Sequence, residues 1–175
     1  MPLLIRVGMI LSGLLLFHLP LGGQELEADP DDVTTLDGII RAYYEVVSRP
    51  AGEPADRRRD VTLHHPSALV SITGVDEGGQ PRITTMSLGE YHDAFGGAGE
   101  EGFFEWEIHR VTHRFGNMAL VWSTYASSLT PGGPVQARGI NSIQLYHDGS
   151  RWWITSWTYD TERPGNPIPE EYLPG

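Results

Sequence analysis

The sequence predicts an α+β domain: a strongly bent antiparallel sheet, with the helices that precede it packed on one face. Three observations carry this. Residues 103–159 divide into four long runs rich in β-branched and aromatic side chains, Phe103–Phe115, Asn117–Leu129, Val135–Tyr146 and Arg151–Tyr159. The breaks between them, Phe115-Gly116-Asn117, Pro131-Gly132-Gly133-Pro134 and His147-Asp148-Gly149-Ser150, are built from residues that accept turn dihedrals. Upstream, Leu36, Ile39, Ile40, Tyr43, Val46 and Val47 recur at helical spacing and form one apolar stripe. Long strands in hairpin succession twist strongly. A curved sheet closed by a helix makes a cup, and a cup can hold a small molecule.

The elements follow in order. Residues 1–23 read as a cleaved secretory signal: Arg6 precedes an apolar run from Val7 to Phe17, Pro20 breaks it, and Gly22-Gly23 follow. The expectation is an exported protein, periplasmic or extracellular. An uncleaved N-terminal membrane anchor is the alternative, disfavoured by the shortness of the run. Residues 24–33 are expected to be a flexible acidic leader. The domain proper spans 34–160. Thr34 is the expected cap of the first helix, with Asp37 three residues on, and Pro50 is its stop. Asp56–His64 is a short helix closed by Pro66. Ala68–Val75 and Arg82–Met86 are short strands about the turn Asp76-Glu77-Gly78-Gly79. Ser87-Leu88-Gly89-Glu90 is a capping box that opens a helix through Phe95, ended by Gly96-Gly97. Residues 161–175, with Pro164, Pro167, Pro169 and Pro174, are expected to be an extended tail.

Composition narrows the partners. The chain of 175 residues has no cysteine, which excludes disulfides and a thiol-linked lipid anchor. Its formal net charge of −11 disfavours nucleic acid and anionic membranes. Arg57-Arg58-Arg59 lies between Asp56 and Asp60 and reads as a solvated helical turn.

The order helix, short helix, hairpin, helix, long meander resembles the nuclear transport factor 2-like superfamily and, within it, the SnoaL-like proteins. The residues that carry the resemblance are Leu36–Ser48 with its Tyr43-Tyr44 pair, Leu63-His64-His65-Pro66-Ser67-Ala68, Arg138–Leu145 and Asp148–Ile154. It covers residues 34–160 and concerns architecture, not chemistry. It implies a cone-shaped fold with a pocket at the open end and a homodimer paired through the sheet. Steroid isomerases of this superfamily use an Asp base, a Tyr and a protonated Asp. Tyr43 matches the Tyr, the base position falls near Ile72, and the second acid falls near Asn141 or Ser142, so one of the three parts is present.

Four side chains are expected to line the pocket: Tyr43 on the apolar stripe, Asn141 on the inward face of the third long strand, and Trp106 and Trp152 on faces taken as inward. Each polar member also has a structural reading, a core tyrosine and an amide bonded to a neighbour. One of His64, His65 and His92 is the candidate proton-transfer group, because imidazole titrates near neutrality. Glu105, Glu107, His109 and His113 alternate on one strand. Phe104, Trp106 and Ile108 hold the more apolar parity, so the Glu/His set is expected to face outward and no metal is expected. Trp153, Trp157 and Tyr159 share a parity that would expose an aromatic patch, the basis for expecting a homodimer. Two functional readings stand. One is cofactor-independent proton transfer on a small apolar or amphipathic molecule, of the cyclase, isomerase or dehydratase type. The other is a non-catalytic binding or assembly module.

Overall fold

A computed structural model describes residues 26–175, so the proposed signal lies outside the described residues. The elements are α1 (Pro30–Val33), α2 (Leu36–Val47), α3 (Arg57–Leu63), β1 (His64–Val75), β2 (Pro81–Ser87), α4 (Leu88–Phe95), β3 (Phe104–Phe115), β4 (Met118–Ser128), β5 (Ala137–His147) and β6 (Trp152–Thr161). A short 3-10 turn, Glu170–Tyr172, follows. One six-stranded open sheet runs in the order β2-β1-β6-β5-β4-β3. The long meander β3–β6 is antiparallel throughout. The β1/β6 pair is parallel, because the chain reaches β6 only after crossing to the far edge at β3.

The helices fill the concave side. Helix α2 buries Ile39, Ile40, Tyr43 and Val46 against Val70, Val121, Ile143, Leu145, Ile154 and Trp157. Thr35, not Thr34, is its cap: the Thr35 hydroxyl accepts from the Gly38 N–H at 2.9 Å, while the Thr34 hydroxyl donates back to the Pro30 carbonyl. Thr34 is taken because the end of the expected leader is itself a helical turn, capped by Asp29. Asp32 in that turn is buried and receives Arg59 at 2.6 and 2.7 Å and Arg41 at 3.2 Å. Arg59 therefore ties α3 to α1 and is half-buried, while Arg57 and Arg58 are exposed. The Ser87/Glu90 capping box of α4 has both of its bonds.

Bulges bend the sheet and decide which side chains enter the cup. Glu107 pairs with Tyr125 but His109 pairs with Thr124, so Ile108 is an extra residue in β3. Leu145 pairs with Ile154 but Gln144 pairs with Ser156, so Thr155 is extra in β6. Each extra residue reverses the alternation beyond it. Trp152 and Ile154 therefore share the concave face with Trp157, which is buried, and Trp153 alone turns outward. The expected outward patch of Trp153, Trp157 and Tyr159 does not exist. Trp153 is instead stacked under the Arg151 guanidinium, 3.6 Å from the ring centre, with its indole N–H on Asp148 at 2.7 Å.

Among the described residues, no helix is long and apolar enough to cross a membrane.

Candidate functional site

The cup holds a cavity of about 210 Å³ between α2, α4 and the inner faces of β3–β6. Its wall is aromatic: Tyr43, Tyr91, Phe103, Tyr125, Trp157 and Tyr159. Trp157 is the hub. The rings of Tyr91 and Tyr43 meet it edge-on at 5.0 and 5.7 Å, and Tyr159 stacks on it at 5.9 Å. Gly139 makes the far wall possible. A Cβ there would lie 2.5 Å from the Tyr125 hydroxyl oxygen, so only glycine lets that ring lie across β5.

Two of the four expected lining residues meet in this cavity. The Tyr43 hydroxyl donates to Asn141 Oδ1 at 3.3 Å. Asn141 Nδ2 donates to the Tyr44 hydroxyl at 3.2 Å, and that hydroxyl lies 2.6 Å from Ser123 Oγ. Ser123 gives its only proton to Glu107 Oε1 at 2.5 Å, so Tyr44 must donate to Ser123. The chain Tyr43–Asn141–Tyr44–Ser123–Glu107 has one consistent donor direction and ends on the Glu107 carboxylate, which also accepts from Arg110; Arg110 in turn donates to Asp37. The other two lie elsewhere. Trp106 pairs opposite Ala126 and lines a separate surface depression with Tyr44, Glu107 and Arg110. Trp152 is buried beside His147 and Arg114, outside the cavity.

Glu105 is expected to face outward and instead faces in. It lines the cavity with Asn141 and Tyr43. Burial raises its carboxyl to about 8, against the pull of the Asn141 amide. Ser48, the residue that ends α2, fixes its backbone: the Ser48 hydroxyl accepts from the Glu105 N–H at 3.0 Å and reaches the Glu105 carbonyl at 3.3 Å. Glu105 and Glu107 face the helices, whereas His109 and His113 lie beyond the bulge on the outer parity, so the four do not form one set. Among the described residues no cluster of three or more His, Asp or Glu is placed to hold a metal ion. The phenols around Glu105 stay protonated: burial raises Tyr43, Tyr91 and Tyr125, and the nearby Glu105 carboxylate adds to the rise.

The three candidate histidines separate. His65 is exposed and pairs with Ser67 at 2.7 Å, away from both cavities. His64 and His92 are buried on either side of Asp60: His92 Nε2 lies 2.6 Å from Asp60 Oδ2, and His64 Nδ1 lies 3.0 Å from the Asp60 carbonyl. Burial alone would raise Asp60, but the two imidazoles outweigh it and hold the carboxyl at about 2. Of the three, only His92 reaches a cavity, a second one of about 250 Å³ that also has Asp60 in its wall. The two cavities share Val47, Tyr91, Phe103 and Tyr159.

No family model matches the chain, and no curated protein does. Solved structures match its fold. A provisionally named ketosteroid isomerase from Parabacteroides distasonis aligns at TM-score 0.52 and 14% identity, over 77% of this chain and 98% of its own. The beta subunit of a provisionally named aromatic-ring-hydroxylating dioxygenase from Novosphingobium aromaticivorans aligns at TM-score 0.50 and 16% identity, over 77% and 96%. An NTF-2 like protein of unknown function from Silicibacter pomeroyi aligns at TM-score 0.49 and 18% identity, over 73% and 92%. The chain has the nuclear transport factor 2-like fold. At these identities the likeness concerns fold alone.

Proposed function

We propose that the protein binds a small molecule in the aromatic cavity and moves a proton on it without a cofactor, with Glu105 as the acid–base group. One observation carries this reading: Glu105, the one carboxylate in the cavity among the described residues, is held at about 8, where both protonation states are populated near neutral pH. The ionised form takes a proton from carbon next to a carbonyl, leaving an enolate; the protonated form returns it to that carbon or, in a conjugated enolate, to the γ carbon. Tyr43 and Asn141 orient the ligand. Where a steroid-isomerase base would fall, Ile72 offers no carboxylate, and β3 supplies one from another wall of the cup.

The test is solvent exchange. Enolisable ketones are incubated with the full chain in deuterated water, and proton NMR reads exchange next to the carbonyl. The expected result is catalysed exchange that falls at least about 100-fold in Glu105→Gln. Ketones that bind without exchanging would sink the reading. A non-catalytic binding module is the second reading, and one observation favours it: Tyr43 and Asn141 already have partners within the fold, the Tyr43 hydroxyl on Asn141 Oδ1 and the Asn141 amide on Tyr44. Export through residues 1–23 is part of the proposal and rests on sequence pattern; a mature N-terminus near Gln24 would support it.

A further inference from the structure

Among the described residues no cation pairs with Glu105. No described Lys, Arg or His lines the aromatic cavity, although Glu105 also borders the outer depression that holds Arg41 and Arg110; the groups that act on its carboxyl are the surrounding burial and one amide. Its neighbours are the rings already described, with Tyr43, Tyr91 and Tyr159 gathered about Trp157. The face of an aromatic ring carries negative potential, and several rings about one volume bind a desolvated cation well. A neutral apolar ligand would use the rings and leave the carboxylate unpaired, whereas a cationic one uses both. We propose that the cavity takes a small organic cation, an alkylammonium or quaternary ammonium compound, with its charge among these rings and against the Glu105 carboxylate. This rests on the reading that the cavity is the ligand site, not on the proton-transfer step. A volume of about 210 Å³ suits an ammonium head group with a short tail. The formal net charge of −11 concentrates such cations near the protein.

The proposal fixes a direction with pH. Below about 8 Glu105 holds a proton, which the arriving cation must expel, so affinity rises with pH and levels off above that value. The bound cation thereby also leaves Glu105 as the base that a proton-transfer step needs. The other titratable groups near it do not change charge in this window. The phenols of Tyr43 on α2, Tyr91 on α4, Tyr125 on β4 and Tyr159 on β6 are all raised by burial, and Asp60 on α3 stays at about 2. His92 on α4 faces Asp60, and His92→Gln is the control for that imidazole.

The experiment is calorimetry of the full chain with choline and with its uncharged isostere, in which a carbon atom replaces the nitrogen. The expected result is saturable choline binding at least about tenfold tighter than the isostere. Choline affinity should rise between about pH 6 and about pH 8 in wild type and in His92→Gln. Glu105→Gln should lose at least about tenfold at the upper pH, with its circular dichroism unchanged. Equal or tighter binding of the isostere, no saturable choline binding, or a pH series that falls or stays flat would overturn the proposal; the last needs no variant to fold. Choline binding together with inert ketones would sink proton transfer and leave the cation site. Exchange of neutral ketones by a protein indifferent to choline would do the reverse.

Discussion

A carboxyl group that loses its water and gains no cation keeps its proton, and Glu105 is in that position. Its carboxyl moves from 4.5 to about 8, so the fold favours the protonated form. The stability this group permits is fully present below its unfolded value of 4.5 and is lost as pH rises through about 8. The loss is on the order of 5 kcal/mol. Urea unfolding at a series of pH values should show wild type weakening across this window relative to Glu105→Gln, and parallel curves would count against the burial argument. Asp60 acts with the opposite sign. Held at about 2 against an ordinary 3.8, it contributes stability above that ordinary value and loses it as pH falls through the lower one.

At the scale of elements, α4 is short and depends on its cap. Ser87 Oγ accepts from the Glu90 N–H at 3.3 Å and the Glu90 carboxylate accepts from the Ser87 N–H at 2.8 Å, which anchors the helix that carries Tyr91 and His92 into the cup. Ser87→Ala should cost about 1 kcal/mol in chemical unfolding. An unchanged midpoint would mean that packing alone sets this helix. That capping box was legible in the sequence, as were the four long strands and the stripe of α2, because each is a local pattern with a local cause. The inward carboxylate was not. Strand parity assigns faces only while every residue is paired, and neither Ile108 nor Thr155 carries the glycine that would mark an extra residue. With the bulge at Ile108 unseen, His109 and His113 were joined to Glu105 and Glu107. With the one at Thr155 unseen, Trp157 was assigned to the outside. Tyr43 is legible because the helical stripe of α2 is unbroken, and Asn141 because no residue of β5 is extra.

For the whole molecule, the convex face of the sheet is the one through which the family resemblance implies pairing. The Pro-rich tail lies back over that face. The Ile168 N–H donates to Glu162 at 3.2 Å, the Ile168 side chain is buried, and Thr124 Oγ1 donates to the Tyr172 carbonyl at 2.7 Å. The Tyr172 ring lies 5.8 Å from that of Trp122. Two copies joined through this face would therefore have to seat the tail inside the interface, and a homodimer stands as a proposal on those terms. A chain ending after Arg163 loses the burial of Ile168, about 1.5–3 kcal/mol, and bares the Trp122 ring. It should unfold at lower denaturant concentration than the full chain. Bared aromatic surface on a sheet face drives association, so it should also sediment as a larger species at the same concentration. A truncated chain that unfolds and sediments like the full one would show that the tail rests on the sheet without stabilising or shielding it.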